Sequence, residues 1–171
     1  SRRCVAFHSV TRTEIHFALA ALEAAGVAPG DRLEHASVTP PEAFDLARRL
    51  GLTIVTQPNF IAERGDAYHE NVESRDLTYL YRVRSWLEAG VSLAAGTDAP
   101  FGDPDPWLAM RAAVLRETRT GRCMGEEERV SPESALALFG NGFTHKIASN
   151  LDARGVAVGQ RADLCLLKEP W

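Results

Sequence analysis

The chain has 171 residues, of which 45% are hydrophobic and 25% charged, and these values are typical of one soluble globular domain with a packed core. Its formal net charge of −4 and its lack of a basic cluster argue against nucleic acid as a partner. We find no signal peptide and no apolar run near the ~20 residues that span a bilayer, so we expect a cytoplasmic protein without a membrane partner. Three widely spaced cysteines without a Cys-x-x-Cys pair fit a reducing compartment.

Short apolar, β-favouring runs alternate with helix-forming segments along most of the chain. The runs occupy 4–7, 31–36, 52–56 and 91–95. Capping-box spacings at 11–14 and 39–42 predict the starts of the first two helices. Strand-helix units in succession predict a parallel sheet with right-handed crossovers.

The later segments are less regular. The stretch 58–76 carries Tyr68 and His69 and is predicted as a long polar loop, with His69 solvated. Loops of this length after a strand often form lids or substrate walls, so we expect this one to set substrate specificity. The remaining predicted elements are helices over 77–89, over 107–118, after the Ser131 N-cap and over 143–148, and a final strand over 162–167.

Three side chains suited to metal binding or acid-base chemistry lie where predicted strands end. His8 follows the first run, His35 follows the second, and Asp98 follows the fourth. In parallel α/β folds the carboxyl ends of the strands are where functional groups are placed. The alternative for Asp98 is that its side chain only caps a turn, which aspartate often does.

Imidazole nitrogen and carboxylate oxygen together suit Zn²⁺ and similar divalent ions. His8 and His35 are separated by 27 residues, about one strand-helix-strand period, which predicts neighbouring strands roughly 5 Å apart. A metal held there lowers the pKa of bound water toward ~7, and a nearby carboxylate such as Asp98 can take and return the proton. Hydrolysis is the natural reaction, although each histidine taken singly is also compatible with a structural hydrogen-bonding role.

Candidate substrate contacts lie beside these positions. Gln57 and Asn59 follow the third run and either bind substrate or satisfy backbone groups of the loop. Phe101 lies close to Asp98 in sequence, where it either forms the wall of an apolar pocket or packs under the loop.

Several motifs in order resemble the amidohydrolase superfamily, and most of all amidohydrolase family 3, the group that includes N-substituted formamide deformylases. The resemblance covers essentially the whole chain. Its motifs are Val5-Ala6-Phe7-His8, Arg32-Leu33-Glu34-His35-Ala36, Thr56-Gln57-Pro58, Ala95-Gly96-Thr97-Asp98-Ala99-Pro100 and Gly159-Gln160-Arg161-Ala162-Asp163-Leu164.

The resemblance implies a (β/α)₈ barrel with a metal centre at its strand ends, attached to a small β-sandwich. The family's histidines on strands five and six and its aspartate on strand eight match His8, His35 and Asp98. By this correspondence His8 and His35 are metal ligands, Asp98 is a ligand and proton shuttle, and the metal is Zn²⁺ or a similar divalent ion.

The chain also departs from the family pattern. The first-strand His-x-His pair and the fourth-strand lysine are missing, and a complete barrel takes about 250 residues. We therefore expect the C-terminal half of a TIM-type barrel, with strands five to eight and their outer helices in residues 1–150. Residues 151–171 are then a remnant strand of the β-sandwich.

The functional expectation is a fragment of a metal-dependent amidohydrolase that cleaves an amide-type C–N bond of a small molecule and is inactive alone. The alternative is a non-catalytic half-barrel that binds a metal or ligand weakly or scaffolds a partner chain. In either case open strand edges and an uncovered inner face favour self-association.

Overall fold

Four parallel strands form one sheet in the order β1-β2-β3-β4, which confirms the predicted parallel α/β arrangement. The computed structural model describes residues 3–140, together with 158 and 166–168. The strands are β1 (Ala6–Ser9), β2 (Arg32–His35), β3 (Thr53–Thr56) and β4 (Ser92–Ala95). The helices are α1 (Arg12–Ala25), α2 (Glu42–Arg49), α3 (Asn59–Asn71), α4 (Ser74–Leu77), α5 (Val83–Glu88), α6 (Pro106–Leu115) and α7 (Pro132–Gly140), with a 3₁₀ turn at Glu126–Glu128.

One row of apolar side chains crosses the sheet and anchors the core. The register pairs Phe7 with Leu33, Leu33 with Ile54, and Ile54 with Leu93. Because side chains alternate along a strand, these four residues lie on the same face of the sheet. That face packs against helices, with Trp86 of α5 fully buried in the same cluster.

The first helix forms as its sequence predicts. Thr11 and Glu14 make a complete capping box, and the buried positions are Ile15, Ala18, Leu19 and Leu22. Helical spacing places these apolar residues on one stripe, which packs against the sheet.

The cap of α1 makes stability depend on pH. Hydrogen bonds from the backbone amides of Val10 and Thr11 lower the pKa of Glu14 below its usual value. A carboxylate with a lowered folded-state pKa stabilises the fold above its unfolded pKa, and this contribution is lost as the pH falls through the folded value. We expect Glu14→Gln to reduce the loss of unfolding free energy between about pH 7 and about pH 3, measured by urea titration. An equal reduction in Glu23→Gln, a control at an exposed position of the same helix, would contradict this assignment.

The predicted polar loop over 58–76 is wrong, because most of it is the helix α3, followed by the short helix α4. Its sequence hides the helix, since no side chain caps its start at Pro58 and its buried positions include Asn59 and Gly65. His69 consequently lies near the end of α3 and is half-buried rather than fully solvated.

Three other boundaries differ from the prediction. The helix expected over 77–89 is shortened to α5, which begins only at Val83, after Tyr81 with its positive φ of 48°. The second capping box does not form, since the Thr39 hydroxyl donates to the Ala36 carbonyl at 2.7 Å instead of capping α2. The helix expected over 107–118 ends at Leu115, where Arg116 takes a left-handed conformation.

The end of the chain contributes little to this description. The helical piece predicted over 143–148 lies outside the described residues, and so does nearly all of the final strand over 162–167. Within the part of the chain that is described, no helix is long and apolar enough to cross a membrane.

Candidate metal centre and cavity

A cavity of about 670 Å³ opens beside the carboxyl ends of the strands. His8, His35 and Asp98 all line it, so the structure brings the three predicted residues to one place. The rest of its lining is mainly apolar and aromatic but includes four charged side chains, Arg12, Arg64, Glu73 and Asp76. The other lining residues are Val10, Thr11, Ser37, Val38, Phe60, Tyr68, Val72, Leu80, Tyr81 and Phe101.

The two histidines approach each other through an unusual turn. In the register His8 lies opposite Glu34, and His35 lies opposite Ser9. Regular alternation would place the two imidazoles on opposite faces of the sheet. Instead His35 has a φ of 68°, and the amide of Ala36 donates to the Glu34 carbonyl at 2.9 Å, which closes a γ-turn around His35. The ring centroids of His8 and His35 consequently lie 4.6 Å apart with an interplanar angle of 72°.

This conformation is costly and is held from outside the turn. A positive φ is uncommon for a residue other than glycine, and such strained residues cluster at functional sites. The Thr56 hydroxyl donates to the His35 carbonyl at 2.9 Å from the neighbouring strand. The His35 side chain is only 7% exposed, and its Nδ1 atom has no hydrogen-bond partner among the described residues. A buried imidazole nitrogen without a partner fits a metal ligand.

Asp98 occupies the loop after β4 with its carboxylate available. Its φ is 58°, and its backbone carbonyl accepts from the amides of Phe101 at 2.9 Å and Gly102 at 3.0 Å. The turn is thus closed by the backbone, and within the described residues no hydrogen bond engages the Asp98 carboxylate. The side-chain capping alternative for Asp98 therefore has no support from the loop's hydrogen bonds.

Helix α3 pins the Asp98 loop. The Asn59 amide donates to the Thr97 carbonyl at 3.1 Å and to Glu63 at 2.8 Å, and Glu63 also accepts from the backbone amide of Asp103 at 3.1 Å. The loop passes so close to itself that a Cβ atom at Gly102 would lie 2.0 Å from the Thr97 carbonyl oxygen. The position of Asp98 therefore depends on α3, which the sequence did not reveal.

Of the three candidate substrate contacts, one lines the cavity and two do not. Phe101 lines the cavity and is 65% exposed. Gln57 and Asn59 are buried outside its lining, where the Gln57 amide donates to the Val55 carbonyl at 3.3 Å and Asn59 supports the loop. The contacts of Gln57 and Asn59 are thus with backbone carbonyls and, for Asn59, with Glu63.

A pair of tyrosines forms a polar spot in the apolar wall that sequence reasoning missed. The hydroxyls of Tyr68 and Tyr81 lie 3.3 Å apart, and both residues line the cavity. Burial raises the pKa of Tyr81 far above its usual value and raises that of Tyr68 as well, so both hydroxyls keep their protons at neutral pH. They can donate hydrogen bonds to a ligand, but no motif in the sequence marks them.

The donor set fits a divalent transition-metal ion in part. The imidazoles of His8 and His35 are close enough to bind the same metal ion, and Asp98 lines the same cavity. Within the described residues, however, no group of three or more His, Cys, Asp or Glu side chains is close enough to hold a metal ion. The described residues thus supply a histidine pair rather than a complete coordination shell.

A parallel strand-helix sheet with this cavity at its carboxyl edge defines an α/β protein with an enzyme-like site. The amidohydrolase family matches residues 3–170, and the chain belongs to this family, as its motifs predict. The chain is 29% identical over 137 residues to the N-substituted formamide deformylase of Arthrobacter pascens, and 27% identical over 140 residues to the putative amidohydrolase YtcJ of Bacillus subtilis (strain 168). Each match covers 80% of this chain, which spans about a quarter of these relatives (25% and 26%).

Two solved structures are similar to most of this chain. An uncharacterized metal-dependent hydrolase from Pyrococcus furiosus is 31% identical with a TM-score of 0.68, covering 80% of this chain and 27% of that one. Another from Pyrococcus horikoshii OT3 is 26% identical with a TM-score of 0.70, covering 80% and 28%. These similarities show a fold consistent with part of an amidohydrolase barrel.

Proposed function

We propose that this chain is the C-terminal half of a (β/α)₈ barrel, with β1 to β4 as strands five to eight of the barrel. Residues 1–150 would form this part, and residues 151–171 a strand of an attached β-sandwich. The parallel order of the strands and the quarter-length matches to the relatives support the proposal. The remaining metal ligands would then come from a segment outside these 171 residues.

The reaction we propose is hydrolysis of an amide-type C–N bond in a small molecule. The relatives' names, a formamide deformylase and an amidohydrolase, support this bond type. His8 and His35 would hold a divalent ion, with Zn²⁺ as the expected metal, and such an ion supplies a nucleophile from water at neutral pH. The observation that carries the proposal is the close histidine pair with its unpartnered His35 nitrogen, in the cavity that Asp98 also lines.

The chain's own residues would manage the proton and the substrate. The Asp98 carboxylate takes a proton from the attacking water and returns it to the leaving nitrogen as the C–O bond forms and the C–N bond breaks. Tyr68 and Tyr81 offer hydrogen bonds from the wall, and Phe101 provides an apolar contact. Asn59 and Gln57 act on this site by supporting the backbone around it.

For the isolated chain, weak metal or ligand binding without turnover is the second candidate. It is favoured by the presence of only two close ligands within the described part of the chain. Among the described residues β1 and β4 are the edge strands of the sheet, and exposed edges would allow self-association or docking of a partner chain.

Zinc binding tests the proposal directly. We expect the purified chain to bind Zn²⁺, and His8→Ala and His35→Ala each to weaken binding at least about tenfold, because loss of a direct ligand exceeds the effect of an outer-shell change. Competition with a chromophoric chelator measures the affinity. The matched control is His16→Ala, an exposed histidine on α1 outside the cavity, which should bind zinc as the wild type does.

Equal zinc affinity in the wild type and both cavity variants would overturn the metal assignment. The chemical step is tested separately in a full-length protein that contains this chain. There we expect Asp98→Asn to abolish amine release from an N-substituted formamide while zinc remains bound. Undiminished amine release in that variant would overturn the role of Asp98 as the proton carrier.

A further inference from the structure

Arg64 of α3 is a cavity-lining cation whose hydrogen-bonding capacity is largely unused. Its guanidinium makes one hydrogen bond among the described residues, from Nη2 to the Phe101 carbonyl at 3.3 Å. Its Nε atom is buried without a partner, and no carboxylate of the described residues forms an ion pair with it. Since a guanidinium carries five N–H donors, most of them remain available for another acceptor.

The guanidinium is held in place by aromatic rings. Its central carbon lies 4.0 Å from the ring centroid of Phe101 and 5.4 Å from that of Phe60. Stacking on two aromatic faces restricts the side chain before any ligand binds, and this lowers the entropy cost of recognition.

Two other charged side chains near Arg64 in the cavity or in sequence, Arg12 and Glu63, are already engaged. Arg12, the other arginine of the cavity, forms an ion pair with Asp76. The carboxylate of Glu63, next to Arg64 in sequence, accepts from the Asn59 amide and the Asp103 backbone. Arg64 is therefore the cavity arginine without a carboxylate partner in the described part of the chain.

We propose that Arg64 binds a carboxylate on the substrate, while the aromatic wall holds the substrate's apolar body. This inference rests on the proposed function and specifies its substrate class as an amide that also carries a carboxylate. Arginine suits this role because its planar fork binds a carboxylate through two parallel hydrogen bonds. Phe60, Tyr81 and Leu80 provide apolar surface in the same cavity.

The test compares two probes of nearly the same shape, the anion 3-phenylpropionate and the neutral 3-phenylpropionamide, whose amide replaces one carboxylate oxygen by an NH2 group. Titration of the chain in the presence of a chelator, followed by NMR, measures the affinity for each without a contribution from bound metal. We expect the carboxylate to bind more tightly than the amide. Arg64→Met should weaken carboxylate binding about tenfold or more, as expected for a lost charge-assisted hydrogen bond, and leave amide binding within about twofold.

Two further variants separate recognition from support of the loop. Arg64→Lys keeps the charge and should recover part of the carboxylate preference, and Arg111→Met, at an exposed position on α6, should retain all of it. The proposal is overturned if neither probe binds, if both bind wild type equally, or if Arg64→Met weakens both to the same extent. These results are independent of zinc binding by the histidines, so failure here is distinguishable from failure of the metal centre.

Discussion

Arg116→Met is expected to cause a large loss of stability. The guanidinium is 1% exposed and donates to three backbone carbonyls, at 2.8 Å to Met124, 2.7 Å to Tyr81 and 2.9 Å to Leu80. Burial lowers the pKa of Arg116 to about 10, and the guanidinium stays charged at neutral pH. Methionine fills a similar space but leaves the three carbonyls without these donors.

Each buried polar group left unsatisfied costs about 1–3 kcal/mol, so we expect a loss of at least about 3 kcal/mol in the free energy of unfolding. Urea titration followed by circular dichroism measures this loss. Arg116→Lys should recover little, because a single ammonium group cannot reproduce the guanidinium fork. The control Arg111→Met is at an exposed position on α6, the helix that ends just before Arg116, and an equal loss there would contradict the assignment.

The same substitution should also affect the cavity. Arg116 holds the carbonyls of Leu80 and Tyr81, and Tyr81 has a strained φ of 48°. Both residues line the cavity, so releasing their backbone should disturb its wall. We expect Arg116→Met to weaken binding of the neutral probe 3-phenylpropionamide, in contrast to Arg64→Met.

Glu128→Ala is the second substitution with a large expected effect. Glu128 is 1% exposed and accepts from Arg82 Nε at 2.9 Å, from the Ser85 amide at 2.9 Å and from the Ser85 hydroxyl. Removing one partner of a buried ion pair leaves an uncompensated charge, which costs about 3–5 kcal/mol. We expect a loss of this size in the free energy of unfolding, measured by the same urea titration.

The neighbouring Glu127 provides the matched control, because it is exposed and one residue away. Glu127→Ala should change stability by less than about 0.5 kcal/mol. Glu128→Gln keeps one acceptor oxygen without the charge and should fall between the wild type and Glu128→Ala. If Glu127→Ala and Glu128→Ala lose the same stability, the buried ion pair does not hold α5 against the 3₁₀ turn.

The sequence does not predict the wall of the cavity, because its buried arginines and carboxylates bind residues that are far from them in the chain. Two of the three carbonyls that Arg116 binds belong to Tyr81 and Leu80, which precede it by 35 and 36 positions in the chain. The sequence predicts a loop where α3 forms, because the buried side of this helix consists partly of Asn59 and Gly65, which interrupt the apolar periodicity. Its role in positioning the Asp98 loop follows from Asn59, Glu63 and Arg64, none of which belongs to a motif.

The sequence by itself determined the parallel strand-helix sheet, the family, and the placement of His8, His35 and Asp98 near strand ends. These features follow from local patterns, since apolar periodicity, capping residues and motif order are all visible in short stretches of chain. Only the tertiary structure decided that the two imidazoles meet, because the γ-turn at His35 reverses the side-chain alternation that a regular strand imposes. The cavity wall and the position of Arg64 likewise depend on packing between segments that are distant in sequence. Such contacts are not visible in any short stretch of the chain.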